Sequence, residues 1–154
     1  MEETFDVLDC HGGFTGQTAT RNECHSKSKN PDMWDISAAG HISTGQDSLS
    51  AAAREINEEV SVNLGHYVSI SDFRYMFCFR KEQVISDDYI DRQFFDFFIL
   101  RQPDLALKQV KMQESEVQAV KLCTMSELRE LIEKHELVER DAVYAALEDY
   151  IFNI

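Results

Sequence analysis

Apolar and polar positions along the chain change their period several times, and each change marks an element. Thr4 to Leu8 and Phe14 to Thr20 read as two extended runs, with His11-Gly12-Gly13 supplying turn chemistry between them. The polar stretch from Ser26 to Asp32, closed by Pro31, reads as a loop, and Trp34 to Ser37 as a short strand after it. From Asp47 or Ser48 the period becomes helical, since either side chain can accept from an orphan backbone N–H of a first turn. Leu49, Ala52, Ala53, Ile56 and Val60 make the apolar stripe of that helix. Ser61 stands where the chain would leave the helix through a left-handed residue, a conformation that costs a non-glycine residue about 1 kcal/mol.

The second half alternates in the same way. Phe73 to Phe79 and Tyr89 to Leu100 are rich in aromatic and aliphatic residues and predict two strands, joined by the polar segment Arg80 to Asp88. Glu116 to Leu122 predicts another strand. Thr124-Met125-Ser126-Glu127 is a capping-box pattern ahead of the helical spacing of Leu128, Leu131 and Ile132. A last helix, from about Glu139 to Phe152, places Val143, Leu147 and Tyr150 or Ile151 on one face. Strands and helices intermixed in this way predict a sheet with helices packed on it, in the α/β (α+β) class.

Composition narrows the function. A chain of 154 residues with 44% hydrophobic residues is long enough for one domain with a real core. Acidic residues outnumber basic ones 28 to 15, a formal charge of −13, which argues against a nucleic-acid polymer or an anionic membrane as main partner. A phosphorylated small molecule is still admissible, because a bound cation reverses the local field. Cys10, Cys24, Cys78 and Cys123 show no CxxC pair or zinc-ribbon spacing, so reduced thiols are expected. The acidic start lacks the basic and apolar regions of a secretory signal, and no apolar run approaches the ~20 residues of a membrane span. A cytoplasmic enzyme is the expectation.

The candidate chemistry lies on the helix after Gly40. Glu55, Glu58 and Glu59 fall at i, i+3 and i+4 and are therefore surface neighbours. Like charges so spaced each cost a helix a few tenths of a kcal/mol, roughly, unless a cation neutralises them. Taken alone, the carboxylates also read as a solvated helix face.

The register around them carries more. Gly40 is followed after five residues by Gln46, and after seven more by Arg54-Glu55-Ile56-Asn57-Glu58-Glu59-Val60-Ser61-Val62. This resembles the Nudix box, matching seven of its nine fixed positions, with Gln46 in place of Glu and Ser61 in place of Gly. The resemblance implies an α/β/α sandwich with a mixed β-sheet, formed as a single domain over residues 1–154. It also implies Mg²⁺- or Mn²⁺-dependent hydrolysis of a small-molecule diphosphate. Glu55, Glu58 and Glu59 would be metal ligands; Glu55, Glu58 and Arg54 would be catalytic, Glu55 as base. Arg54 would orient Glu58, and Gly40 would let the backbone approach metal or phosphate.

Trp34-Asp35-Ile36-Ser37-Ala38-Ala39-Gly40-His41 resembles the branch near the isopentenyl diphosphate isomerases. Those enzymes carry a catalytic cysteine where Ala39 stands, so isomerase chemistry is the least favoured reading. Their second metal site implies His25 and His41 here, with Asp91 and Gln93 on a later strand. That branch is also longer between the counterparts of His25 and Trp34, where only the eight residues Ser26 to Met33 intervene. The shortening implies a sheet lacking one or two core strands. A catalytically weak or inactive Nudix-fold interaction module is the alternative it leaves open.

Overall fold

Asp9 turns the chain back on itself and so starts the first sheet. In the computed structural model, which describes residues 4–20, 33–62, 68–86, 89–101, 110–112 and 117–152, strand β1 (Thr4–Leu8) pairs antiparallel with β2 (Phe14–Thr20), from Thr4↔Thr20 to Leu8↔Phe14. The Asp9 carboxylate accepts from the backbone N–H groups of Gly13 and His11, each at 2.8 Å. Those bonds favour its charged form and hold its pKa below the usual value. Gly12 has φ 82°, a conformation that favours glycine, and a Cβ at Gly13 would lie 2.8 Å from the Asp9 carboxylate and push it from its place in the turn.

The described residues divide into two units. One is drawn from the described parts of Met1–Lys27, Gly40–Arg54 and Ser69–Arg101. Besides the first hairpin it contains β4 (Phe73–Ser86) and β5 (Tyr89–Leu100), paired antiparallel along nearly their full length. Alternation puts Phe77, Phe79, Phe95 and Phe97 on one face of this ribbon, where Phe79 and Phe95 stack with centroids 5.2 Å apart and Phe97 is buried. A single 3₁₀ turn, Ile70–Asp72, leads into β4 and is closed by a capping box from Ser69 and Asp72. The loop ahead of the helix is tied to β1: the Thr44 N–H donates to the Thr4 carbonyl at 2.9 Å and the Gly45 N–H to the Asp6 carboxylate at 3.1 Å.

The other unit is drawn from the described parts of Ser28–Ala39, Glu55–Val68 and Gln102–Ile154. Here β3 (Val60–Val62) pairs antiparallel with β6 (Val110–Met112), and Trp34 makes a parallel bridge with Leu137. Helix α2 (Met125–Glu133) begins at Thr124, whose capping box with Glu127 is complete. It ends in a Schellman arrangement, with the His135 N–H donating to the Ile132 carbonyl and the Glu136 N–H to the Leu131 carbonyl, each at 3.0 Å. His135 takes the left-handed position that arrangement needs, at φ 56°. Helix α3 (Asp141–Phe152) buries Val143 and Tyr144, which with Val68, Leu131, Leu137 and Val138 are the buried apolar side chains of this unit among the described residues. Helix α1 (Ser48–Glu59) contributes its first part to the first unit and its last turn to the second.

This is the mixed α/β architecture expected, consistent with a Nudix-like α/β/α sandwich; among the described residues the strands form three antiparallel pairs. Several local expectations are corrected. The Arg80–Asp88 connection is mostly strand, because β4 runs to Ser86: opposite charges face each other across the ribbon at Glu82↔Arg92, and polar residues suit a solvated face. Trp34–Ser37 contributes one bridge rather than a strand. The described part of Glu116–Leu122 is not a strand; Lys121 instead lays its ammonium over the Trp34 ring at 4.6 Å. Ser61 lies in β3, so the helix leaves directly into extended backbone and the left-handed strain never arises.

Candidate metal centre on helix α1

Asp47, one of the two candidate caps, starts α1. Its carboxylate accepts from the Ser50 N–H at 2.9 Å and the Ser50 hydroxyl at 2.6 Å. The hydroxyl first, then the amide, hold the Asp47 pKa below its ordinary value. Just upstream, the Gln46 N–H donates to the Ser43 carbonyl at 2.9 Å, in a turn that has Gly45 at φ 77°. Gln46 thus closes the turn that feeds the helix, a backbone role that needs no negative charge.

The buried residues of α1 are Ala51 and Ala53, rather than the whole stripe read from the sequence; Leu49, Ala52 and Ile56 are half-buried and Val60 belongs to β3. Small alanine side chains permit close approach of neighbouring chain, so the helix is covered over more of its circumference than one stripe. Glu55 and Glu59 are half-buried, and Glu58 is the one exposed residue of the helix. Two of the three glutamates are thus part covered, and part-covered carboxylates favour positions where a donor or a cation meets them.

One carboxylate partner stands just before Gly40, and a separate bond from Arg54 stands just after it. The Ala39 N–H donates to the Glu59 carboxylate at 3.4 Å. The Arg54 guanidinium donates to the His41 carbonyl at 3.1 Å. Gly40 itself is exposed, in the loop between these two fastened residues. Neither link was readable from the sequence, since backbone groups carry no motif.

The donor set is all carboxylate oxygen, which suits a hard cation such as Mg²⁺ or Mn²⁺. The fit is one of donor chemistry and helical spacing. Among the described residues, no three His, Cys, Asp or Glu side chains already converge as a set able to hold an ion. Glutamates at i, i+3 and i+4 are near enough on a helix surface that rotation about their side-chain torsions would be needed to bring them to a common ion. For the second site, His25 lies outside the described residues. The His41 ring packs against Phe5, with centroids 4.8 Å apart, and Asp91 is half-buried on β5.

Residues 17–146 match the NUDIX domain model. Nudix hydrolase 3 of Arabidopsis thaliana is 32% identical over 165 aligned positions, covering 88% of this chain and 21% of that protein. Uncharacterized Nudix hydrolases of Listeria monocytogenes and Listeria innocua are each 32% identical over 123 positions, covering 80% of this chain and 64% of theirs. The chain therefore spans about a fifth of the plant relative and just under two thirds of the bacterial ones. No solved structure matches. The chain belongs to the Nudix family. The 165 aligned positions exceed the 154 residues of the chain, so part of the plant relative's matched segment has no counterpart here.

Proposed function

We propose that this protein is a metal-dependent Nudix pyrophosphohydrolase that splits the diphosphate linkage of a nucleoside diphosphate derivative or another small organic diphosphate. The observation that carries the reading is the glutamate face of α1, in box register, with Glu55 and Glu59 half-buried and Glu59 bound to the Ala39 amide. Glu55, Glu58 and Glu59 would hold Mg²⁺ or Mn²⁺. When bound, such an ion neutralises phosphate oxygens and acidifies water. Glu55 takes the proton of the attacking water, Arg54 orients the helix face, and Gly40 leaves room for phosphate beside the backbone. The relatives' shared designation as Nudix hydrolases supports the assignment.

The reaction is placed in the cytoplasm, in a single Nudix-type domain. The exposed, unbridged Cys10, Cys78 and Cys123 support a reducing compartment. Among the described residues, no helix is long and apolar enough to cross a membrane. Within the family, Trp34 to His41 supports the branch near the isopentenyl diphosphate isomerases, and Ala39 supports hydrolysis over isomerisation because it offers neither nucleophile nor acid. A binding module with little turnover is the second reading, and the segment absent relative to the plant protein favours it.

A panel of nucleoside, sugar and prenyl diphosphates with Mg²⁺ or Mn²⁺ tests the proposal, with Glu58→Gln alongside. Metal-dependent phosphate release, reduced about a hundredfold in the variant, is expected for the loss of a major electrostatic contributor. Equal turnover by both proteins would overturn it; folded wild type without turnover would favour the binding module.

A further inference from the structure

Trp34 and Asp35 are held from three sides. The Trp34 N–H donates to the Glu136 carbonyl and the Val138 N–H to the Trp34 carbonyl, each at 2.9 Å. The Arg140 guanidinium grips Asp35 with two parallel bonds, Nε to Oδ1 at 2.6 Å and Nη2 to Oδ2 at 2.8 Å. These partners are 105 positions apart in sequence, and Arg140 is only 16% exposed. The Tyr144 hydroxyl donates to the Val138 carbonyl at 2.8 Å, which steadies the extended segment that holds Trp34. Four residues beyond this clamp the Ala39 amide meets Glu59.

A glutamate has three side-chain torsions and, on a helix end, explores several rotamers. A backbone N–H aimed at one carboxylate oxygen selects among them only when its own segment is fixed. The Trp34–Ala39 segment forms no strand of its own, so it takes its placement from side-chain and bridge contacts. A two-pronged Arg–carboxylate bond, with Arg140 covered and Asp35 on the surface, is directional in a way that a lysine point charge is not.

We propose that the Asp35–Arg140 pair is a positioning device for Glu59, setting the Ala39 amide that orients the Glu59 carboxylate for its ion. The proposal rests on Glu59 being a metal ligand, as inferred above. Partners of this kind behind metal ligands change metal affinity by about 10- to 100-fold when removed.

The test uses the full chain with Arg140→Lys and the near-isosteric Asp35→Asn, and Glu59→Gln as reference. The Ala39 amide is followed by ¹H–¹⁵N spectroscopy without metal, and Mn²⁺ affinity by electron paramagnetic resonance. In Glu59→Gln the Ala39 proton resonance moves upfield as a charged acceptor becomes neutral. Both clamp variants are expected to move Ala39 in that same direction and to weaken Mn²⁺ binding about tenfold or more, while the buried Leu131 methyl resonances report an intact core. An Ala39 resonance and Mn²⁺ affinity equal to wild type, with only thermal stability lowered, would overturn the proposal and leave the pair a structural staple. Wild type that binds no Mn²⁺ overturns the metal reading itself; wild-type binding that the clamp variants leave untouched overturns the positioning role alone.

Discussion

Tyr144 offers a stability prediction whose sign changes with pH. Its ring is buried at the start of α3 and its hydroxyl donates to the Val138 carbonyl at 2.8 Å. Burial, reinforced by the nearby Asp35 charge, disfavours the phenolate and pushes the pKa from 10.0 up to about 12. Below the unfolded value both states hold the proton, and the hydrogen bond contributes its full share, about 1 kcal/mol. Above it the unfolded chain releases the proton while the folded chain keeps it, so stability falls until the folded value is reached. One pKa unit corresponds to about 1.4 kcal/mol, so the loss is about that much one unit above the unfolded pKa and about twice that in full. Tyr144→Phe removes both effects. In urea unfolding across a pH series, wild type should be the more stable protein by about 1 kcal/mol at neutral pH. The advantage should vanish roughly one unit above the unfolded tyrosine pKa and then reverse. Parallel curves for the two proteins through that range would refute the argument.

Two further predictions concern α2. His135→Gly should stabilise the protein by about 1 kcal/mol in denaturant titration, because glycine adopts the left-handed position of the Schellman turn without a Cβ penalty. Thr124→Ala should cost about 1 kcal/mol by the same measurement, through loss of the cap. Bonds from the Thr124 backbone and hydroxyl hold the Glu127 pKa below 4.5, so its contribution is present above that pH and disappears as pH falls through the lower folded value. Thr124→Ala should therefore lose less stability than wild type on acidification through that window.

The parts legible in the sequence were those written in local chemistry. The Thr124–Glu127 box specifies its helix start by itself, and the period of α3 and the β1–β2 turn are equally local. The Nudix register around Glu55 was legible because helical spacing is a short-range property. What escaped notice depended on distant partners. Polar residues in β4 look like a loop until Arg92 is set opposite Glu82. The segment before Leu122 looks like a strand until Lys121 is seen on Trp34. Ser61 looks strained until β6 is found beside it. The backbone links at Ala39 and His41, and the Asp35–Arg140 pair, join residues that no window of sequence contains together.

The proposed hydrolysis requires the glutamate face of α1 to hold a hard divalent ion. Titrating folded wild type and Glu58→Gln with Mn²⁺, read by electron paramagnetic resonance, tests it most directly. Saturable association with wild type is expected, weakened at least about tenfold in the variant. Absence of association with well-folded wild type, or equal affinity in the two proteins, would contradict it.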